Sequence, residues 1–94
     1  MTTISIKPAL NFLLAQKQHD LSIRQLSVLL ECAAGSQTVR GLAACLNVSK
    51  PAITRAADKL VAKGWMQRKK DQTDGRSVIL SLTRPGQKFA TRFA

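Results

Sequence analysis

A chain of 94 residues and 10.3 kDa suits a single domain, and a hydrophobic share of 45% is too large for a disordered basic tail. Fifteen Lys and Arg against five Asp and Glu leave a formal net charge of +10, which points to a polyanionic partner, nucleic acid being the commonest. No run approaches the roughly 18–20 apolar residues that cross a bilayer, MTTISIKPALNFLLAQK lacks the cleavage pattern of a signal peptide, and two cysteines are too few for a disulfide scaffold, so a reducing cytosol is the expected setting.

In chain order, Pro8 suits a first helical turn, and Leu10, Phe12, Leu13 and Leu14 predict a helix over 8–18 that ends in polar QKQHD. Ser22 is an N-cap for a helix over 23–34, in which Ile23, Leu26, Leu30 and Ala33 recur at three- and four-residue steps along one face, with Gly35 just beyond. Thr38 caps a short helix with Val39, Leu42, Ala43 and Leu46 inward. It stops at Asn47, a residue that tolerates the left-handed conformation. Ser49 caps again, and 50–63 is a helical run with Ile53, Ala57, Leu60 and Val61 on one side, ended by Gly64. Two helices across so short a turn make a helix-turn-helix. Trp65 to Arg68 then leads into the turn-rich KKDQTDG. From Arg76 to Leu82 the apolar residues alternate with period two, so two short strands form a β-hairpin. Thr83 caps a last helix with Pro85 in its first turn, and Phe89 and Phe93 are expected to pack inward against Leu10 and Leu14. The charge is uneven along this order: residues 1–48 carry a net +2 and residues 49–94 a net +8.

Five motifs occur in sequence. They are Leu21-Ser22-Ile23-Arg24-Gln25; Val48-Ser49-Lys50-Pro51-Ala52-Ile53-Thr54-Arg55; Asp58-Lys59-Leu60 followed by Lys63-Gly64-Trp65; RKKDQTDGR from Arg68 to Arg76; and Leu82-Thr83-Arg84-Pro85-Gly86. Together, from about Leu21 to Gly86, the chain resembles the MarR-type (multiple-antibiotic-resistance regulator) transcription factors. The resemblance implies an α+β, mostly α, winged helix-turn-helix with a two-stranded β-hairpin wing. It also implies a sequence-specific regulator of transcription that binds double-stranded DNA, with the helix over 50–63 in the major groove and the basic wing over 67–78 in the minor groove. Such a protein works in the cytoplasm, on the nucleoid when DNA-bound. Family members carry long terminal helices that build the dimer and shape a pocket for small phenolic effectors. Here the last helix stops at Ala94 and the first is short, so the dimer module is expected to be largely missing.

The chemistry of the residues agrees with that order. A helix of about 14 residues is ~21 Å long, and its N-terminal end can enter a major groove. Its outward face presents Lys50, Pro51, Thr54, Arg55, Asp58 and Lys59. Ser49 sits where backbone N–H groups favour a phosphate. Arg55 is the candidate for a bidentate contact to guanine, and Thr54 and Lys50 for a base or a phosphate. Arg76 resembles the family's wing-tip arginine, with Asp74 placed to hold its guanidinium. Arg68, Lys69 and Lys70 are phosphate contacts that set position rather than sequence. Thr38 completes the candidate set.

Plainer roles compete for several of these residues. A basic helix face is often only solvated surface. Asp58 fits a salt bridge to Arg55 or Lys59, Asp71 a turn cap, and Trp65 the core beneath the wing. Cys32 and Cys45 read as buried packing rather than as oxidant sensors, since no cationic neighbour is evident for either. With His19 the one histidine, no metal site is expected, and no nucleophile, phosphate loop or carboxylate pair points to an enzyme or a cofactor. Two other functions share the same surface: a protein-interaction module for an acidic partner such as polymerase or another regulator, and nonspecific or RNA binding. The apolar residues Ile4, Ile6, Leu10, Leu13, Leu14, Phe89 and Phe93 are more than two short helices need, which predicts a homodimer through the terminal helices.

Overall fold

The computed structural model describes residues 21–93, together with the helical position 11. A hydroxyl stands before each described α-helix and accepts a hydrogen bond from the N–H three residues on. Ser22 takes it from Gln25 at 3.0 Å, Thr38 from Gly41 at 2.9 Å, Ser49 from Ala52 at 3.2 Å and Thr83 from Gly86 at 3.2 Å. These caps open α1 (Ile23–Ala33), α2 (Val39–Leu46), α3 (Lys50–Ala62) and α4 (Arg84–Ala90), the last running into a 3-10 turn over Thr91–Phe93. Gln25 completes a capping box by accepting the Ser22 N–H at 3.1 Å. Asn47 ends α2 in the left-handed conformation at φ 57° and ψ 48°. Gly64, at φ 78°, turns the chain out of α3 in a conformation that side chains other than glycine's rarely adopt.

Three strands form one antiparallel sheet in the order β1 (Gln37–Thr38), β3 (Val78–Leu82), β2 (Met66–Lys70). The hairpin pairs Met66 with Leu82 through Lys70 with Val78. The expected two-stranded wing is present, and β1 adds a third strand by pairing Gln37 with Leu80 and Thr38 with Ile79. Two residues are too few to show a period, so only the pairing reveals this strand. It ties the start of α2 to the base of the wing.

The core gathers Val28, Leu29 and Cys32 of α1, Leu42 of α2, Ile53, Ala57 and Leu60 of α3, and Met66 and Leu80 of the sheet. The inward face of α1 differs from the expected one. Ile23 is 87% exposed and Leu30 39%, while Val28, Leu29 and Cys32 are enclosed and Leu26 is half-buried. The helix is turned by roughly a third of a turn from the predicted phase. Its VLLECAA stretch is apolar nearly all round, so periodicity alone offers two faces, and packing against α3 and β3 selects one. The expected helix over 8–18, and the packing on Leu10 and Leu14, lies outside the described residues.

The joint between α3, β2 and α4 is the tightest in the fold. The Trp65 ring stacks on Phe89 at 3.9 Å between centroids and 21° between planes. Trp65 N–H donates to the Leu60 carbonyl at 3.0 Å, and the Trp65 carbonyl accepts the Thr83 N–H at 3.0 Å. The Thr83 hydroxyl donates to the Gly64 carbonyl at 2.6 Å. Gly86 lies so close that a Cβ there would stand 1.9 Å from the Trp65 carbonyl oxygen. Gly86→Ala is therefore expected to destabilise the fold by about 2–3 kcal/mol, since the obstacle is backbone rather than a yielding side chain. Denaturant unfolding of the variant against the parent chain measures it.

Candidate nucleic-acid interface

The face of α3 away from the core is laid out as its spacing predicts. Ile53, Ala56, Ala57 and Leu60 are buried, and Lys50, Pro51, Thr54, Arg55, Asp58 and Lys59 are exposed. With about 100° between successive residues, Pro51 and Asp58 form the crest. Lys50 and Thr54 lie on the flank towards the wing, Arg55 and Lys59 on the flank towards α1.

The wing assigns its acids to structure. Asp71 accepts the Thr73 hydroxyl at 2.6 Å and the Thr73 N–H at 3.0 Å. These bonds, the hydroxyl's first, hold its carboxyl below the usual range. Asp71 is the turn cap that its type and place predict. Asp74 accepts the Arg76 backbone N–H at 3.1 Å and the Ser77 hydroxyl at 3.2 Å. It shapes the loop that carries Arg76 by holding that residue's backbone, not the guanidinium as the sequence reading expected. The arrangement follows from spacing, because an Asp side chain reaches the N–H two residues on.

Asp58 also has a different partner from the expected Arg55 or Lys59. It is ion-paired with Arg68 of β2, both side chains about half exposed. In a strand, alternate residues share a face, so Arg68 shares that of buried Met66 and reaches back across to α3. Lys70 lies on the same face and Lys69 on the opposite one, so the three cations expected to act together are divided. The Lys63 ammonium lies 5.7 Å from the Trp65 ring centroid, at the end of α3 far from Ser49. Trp65 is a core residue, as expected. Thr38 and Ser49 both spend their hydroxyls as caps, Thr38 half-buried and Ser49 exposed.

Two clefts flank α3. One, of about 330 Å³, is lined by Ser22, Arg24, Gln25, Arg55 and Lys59, together with the small Ala52 and Ala56. The other, of about 160 Å³, brings Arg40, Lys50, Thr54 and Arg76 together at the base of the wing with Val39 and Val78. Arg24 and Arg40 are additions to the sequence-derived set. Both lie in the weakly charged first half of the chain, and only the tertiary fold brings them to α3. Their place two residues after the caps Ser22 and Thr38 was the one legible signal.

The MarR family model matches residues 19–77, from before α1 to the wing. The chain belongs to the MarR family. It is 39% identical over 69 residues to the multiple antibiotic resistance protein MarR of Escherichia coli K12, covering 71% of this chain and 47% of that protein. The transcriptional regulator BldR of Sulfolobus solfataricus superposes with a TM-score of 0.73 at 35% identity, over 80% of this chain and 54% of its own. The reduced form of AbfR, solved bound to DNA, superposes with a TM-score of 0.70 at 32% identity, over 77% and 53%. The chain spans about half the length of the curated MarR relatives it matches. Among the described residues no helix is long and apolar enough to cross a membrane.

The cysteines of this MarR-family chain divide. Cys32 is buried as expected, and its thiol pKa is pushed up to about 11, first by that burial and then by the Glu31 carboxylate. Cys45 is exposed on α2, contrary to the expectation of buried packing, because α2 is short and only Leu42 and Ala43 of it turn fully inward. A thiol reagent at neutral pH is expected to label Cys45 in the folded protein and Cys32 only on unfolding, with mass spectrometry identifying the site. Because the folded state disfavours the Cys32 thiolate, the stability tied to that group is intact below about pH 9 and falls as the pH rises towards 11.

Proposed function

We propose that this chain is a sequence-specific, double-stranded DNA-binding regulator of transcription, acting in the cytoplasm, with α3 in the major groove and the wing over 67–78 in the minor groove. The observation that carries the reading is the one-sided charge of the α3–wing surface. Lys50, Arg55, Lys59 and Arg76 face solvent there, while Asp58, Asp71 and Asp74 are engaged by protein groups. A helix about 10–12 Å across with its side chains matches a major groove about 12 Å wide. The solved complex of AbfR with DNA, a relative of the same fold, supports the same partner. In this reading Arg55 reads a guanine, Thr54 and Lys50 contact a base or a phosphate beside Ser49 and Pro51, and Arg76 enters the minor groove. Two copies, joined through the terminal helices, set their recognition helices about 34–36 Å apart over a pseudo-palindrome.

Selection of bound duplexes from a random pool tests this directly. A symmetric consensus is the expected product. Binding equal to that of random duplex and of RNA, or no binding at all, refutes the reading; in the latter case an acidic protein partner becomes the better one.

On the selected site, Arg55→Ala is expected to cost about 1–3 kcal/mol and to relax base choice at one position. Arg76→Ala weakens binding most at A·T-rich flanks, where a narrow groove concentrates negative potential. Titration of labelled duplexes with varied flanks measures both. Asp58 stands on the crest of α3, so releasing it places a bare carboxylate against the duplex. Arg68→Ala is therefore expected to weaken binding more than Lys69→Ala does, and the Asp58→Asn change is expected to restore most of that loss when combined with Arg68→Ala.

A further inference from the structure

The two clefts beside α3 carry a finer assignment, which rests on the duplex-binding reading above. Arg24 and Arg40 are the second residues of α1 and α2. Neither helix has an acidic residue in its first turn. A cation there opposes the helix dipole, which favours negative charge at the N-terminus. Among the described residues neither arginine makes an ion pair. Both side chains instead line clefts whose other cations come from α3 and the wing: Arg24 with Arg55 and Lys59, Arg40 with Lys50 and Arg76. The clefts lie on opposite flanks of α3, roughly 140° apart about its axis.

We infer that these clefts are seats for backbone phosphates on the two strands that border the major groove, and that Arg24 and Arg40 are phosphate-binding residues of this chain. A helix centred in a groove of about its own width meets one sugar–phosphate ridge on each side. The cleft towards α1 receives one ridge and the cleft at the base of the wing receives the other. With Arg55 turned to its base and Arg76 to the minor groove, Arg24 and Lys59 hold one phosphate and Arg40 and Lys50 the other whatever the sequence, so these contacts set the register in which Arg55 meets its base. The unfavourable position of each arginine in its own helix is relieved when the phosphate supplies the missing negative charge at that helix start.

The test uses the full chain and two duplexes, the selected site and a random sequence, in fluorescence anisotropy between about 50 and 200 mM salt. Arg24→Ala and Arg40→Ala are each expected to weaken both duplexes by the same factor. Each is also expected to lower the slope of log affinity against log salt by about 0.9, and the double variant by about twice that. Arg24→Glu and Arg40→Glu are expected to bind more weakly still while melting at a higher temperature, because an acidic residue suits the helix start. A purely structural arginine would lower the melting temperature instead. Parent chain that binds with an unchanged salt slope in both alanine variants overturns the assignment and leaves the duplex reading standing. So does a loss confined to the selected site, which marks base readout. Parent chain that fails to bind either duplex overturns both.

Discussion

The Trp65 joint is the constraint on which the rest of the geometry depends. One residue follows the Gly64 turn out of α3, starts the chain into β2 and carries α4 on both its ring and its carbonyl. Stacking on Phe89 adds about 0.5–1.5 kcal/mol beyond the area it buries. The close approach of Gly86 leaves no room for a side chain, so α4 sits at one distance only. Helix α3 and the wing are thereby held in a fixed relation. In the proposed function that fixed relation lets the two elements meet adjacent grooves together.

The sheet extends this control to the other end of α3. By pairing with β3, the two residues of β1 place Thr38, and hence the start of α2, against the base of the wing. That placement puts Arg40 beside Lys50 and Arg76. The capping box of α1 does the corresponding work on the far flank by setting the first turn that carries Arg24. Short local devices, each contributing about 1 kcal/mol, thus position charges that lie far apart in the chain.

Acidic residues are few, and each of those in the second half is held by a protein group. Asp58 holds Arg68, Asp71 holds Thr73, and Asp74 holds the backbone under Arg76. The exposed pair of Asp58 with Arg68 contributes little to stability, typically below about 1 kcal/mol. The effect of the three acids is on the field: one carboxylate is matched by a cation, the other two are held within the turn, and the excess of cations sets the sign of the surface. The motif RKKDQTDGR therefore encodes a shaped turn as much as a charged one.

Much of this was legible in the residues alone. The four caps Ser22, Thr38, Ser49 and Thr83, the left-handed Asn47, the exposed crest of α3 and the core role of Trp65 are local or periodic properties, and short-range chemistry decides them. The phase of α1, the strand β1, the exposure of Cys45, the pairing of Asp58 with Arg68 rather than with a helical neighbour, and the recruitment of Arg24 and Arg40 were not. Each depends on which surface another element presents. A helix apolar nearly all round has no preferred face until it docks, a two-residue strand exists only through its partner, and a long side chain chooses among several opposite charges by distance in space. The sequence by itself determined where the four described helices begin and which half of the chain carries the charge. The tertiary structure alone decided which faces meet and which cations share a cleft, because those follow from packing between segments that are remote in the chain.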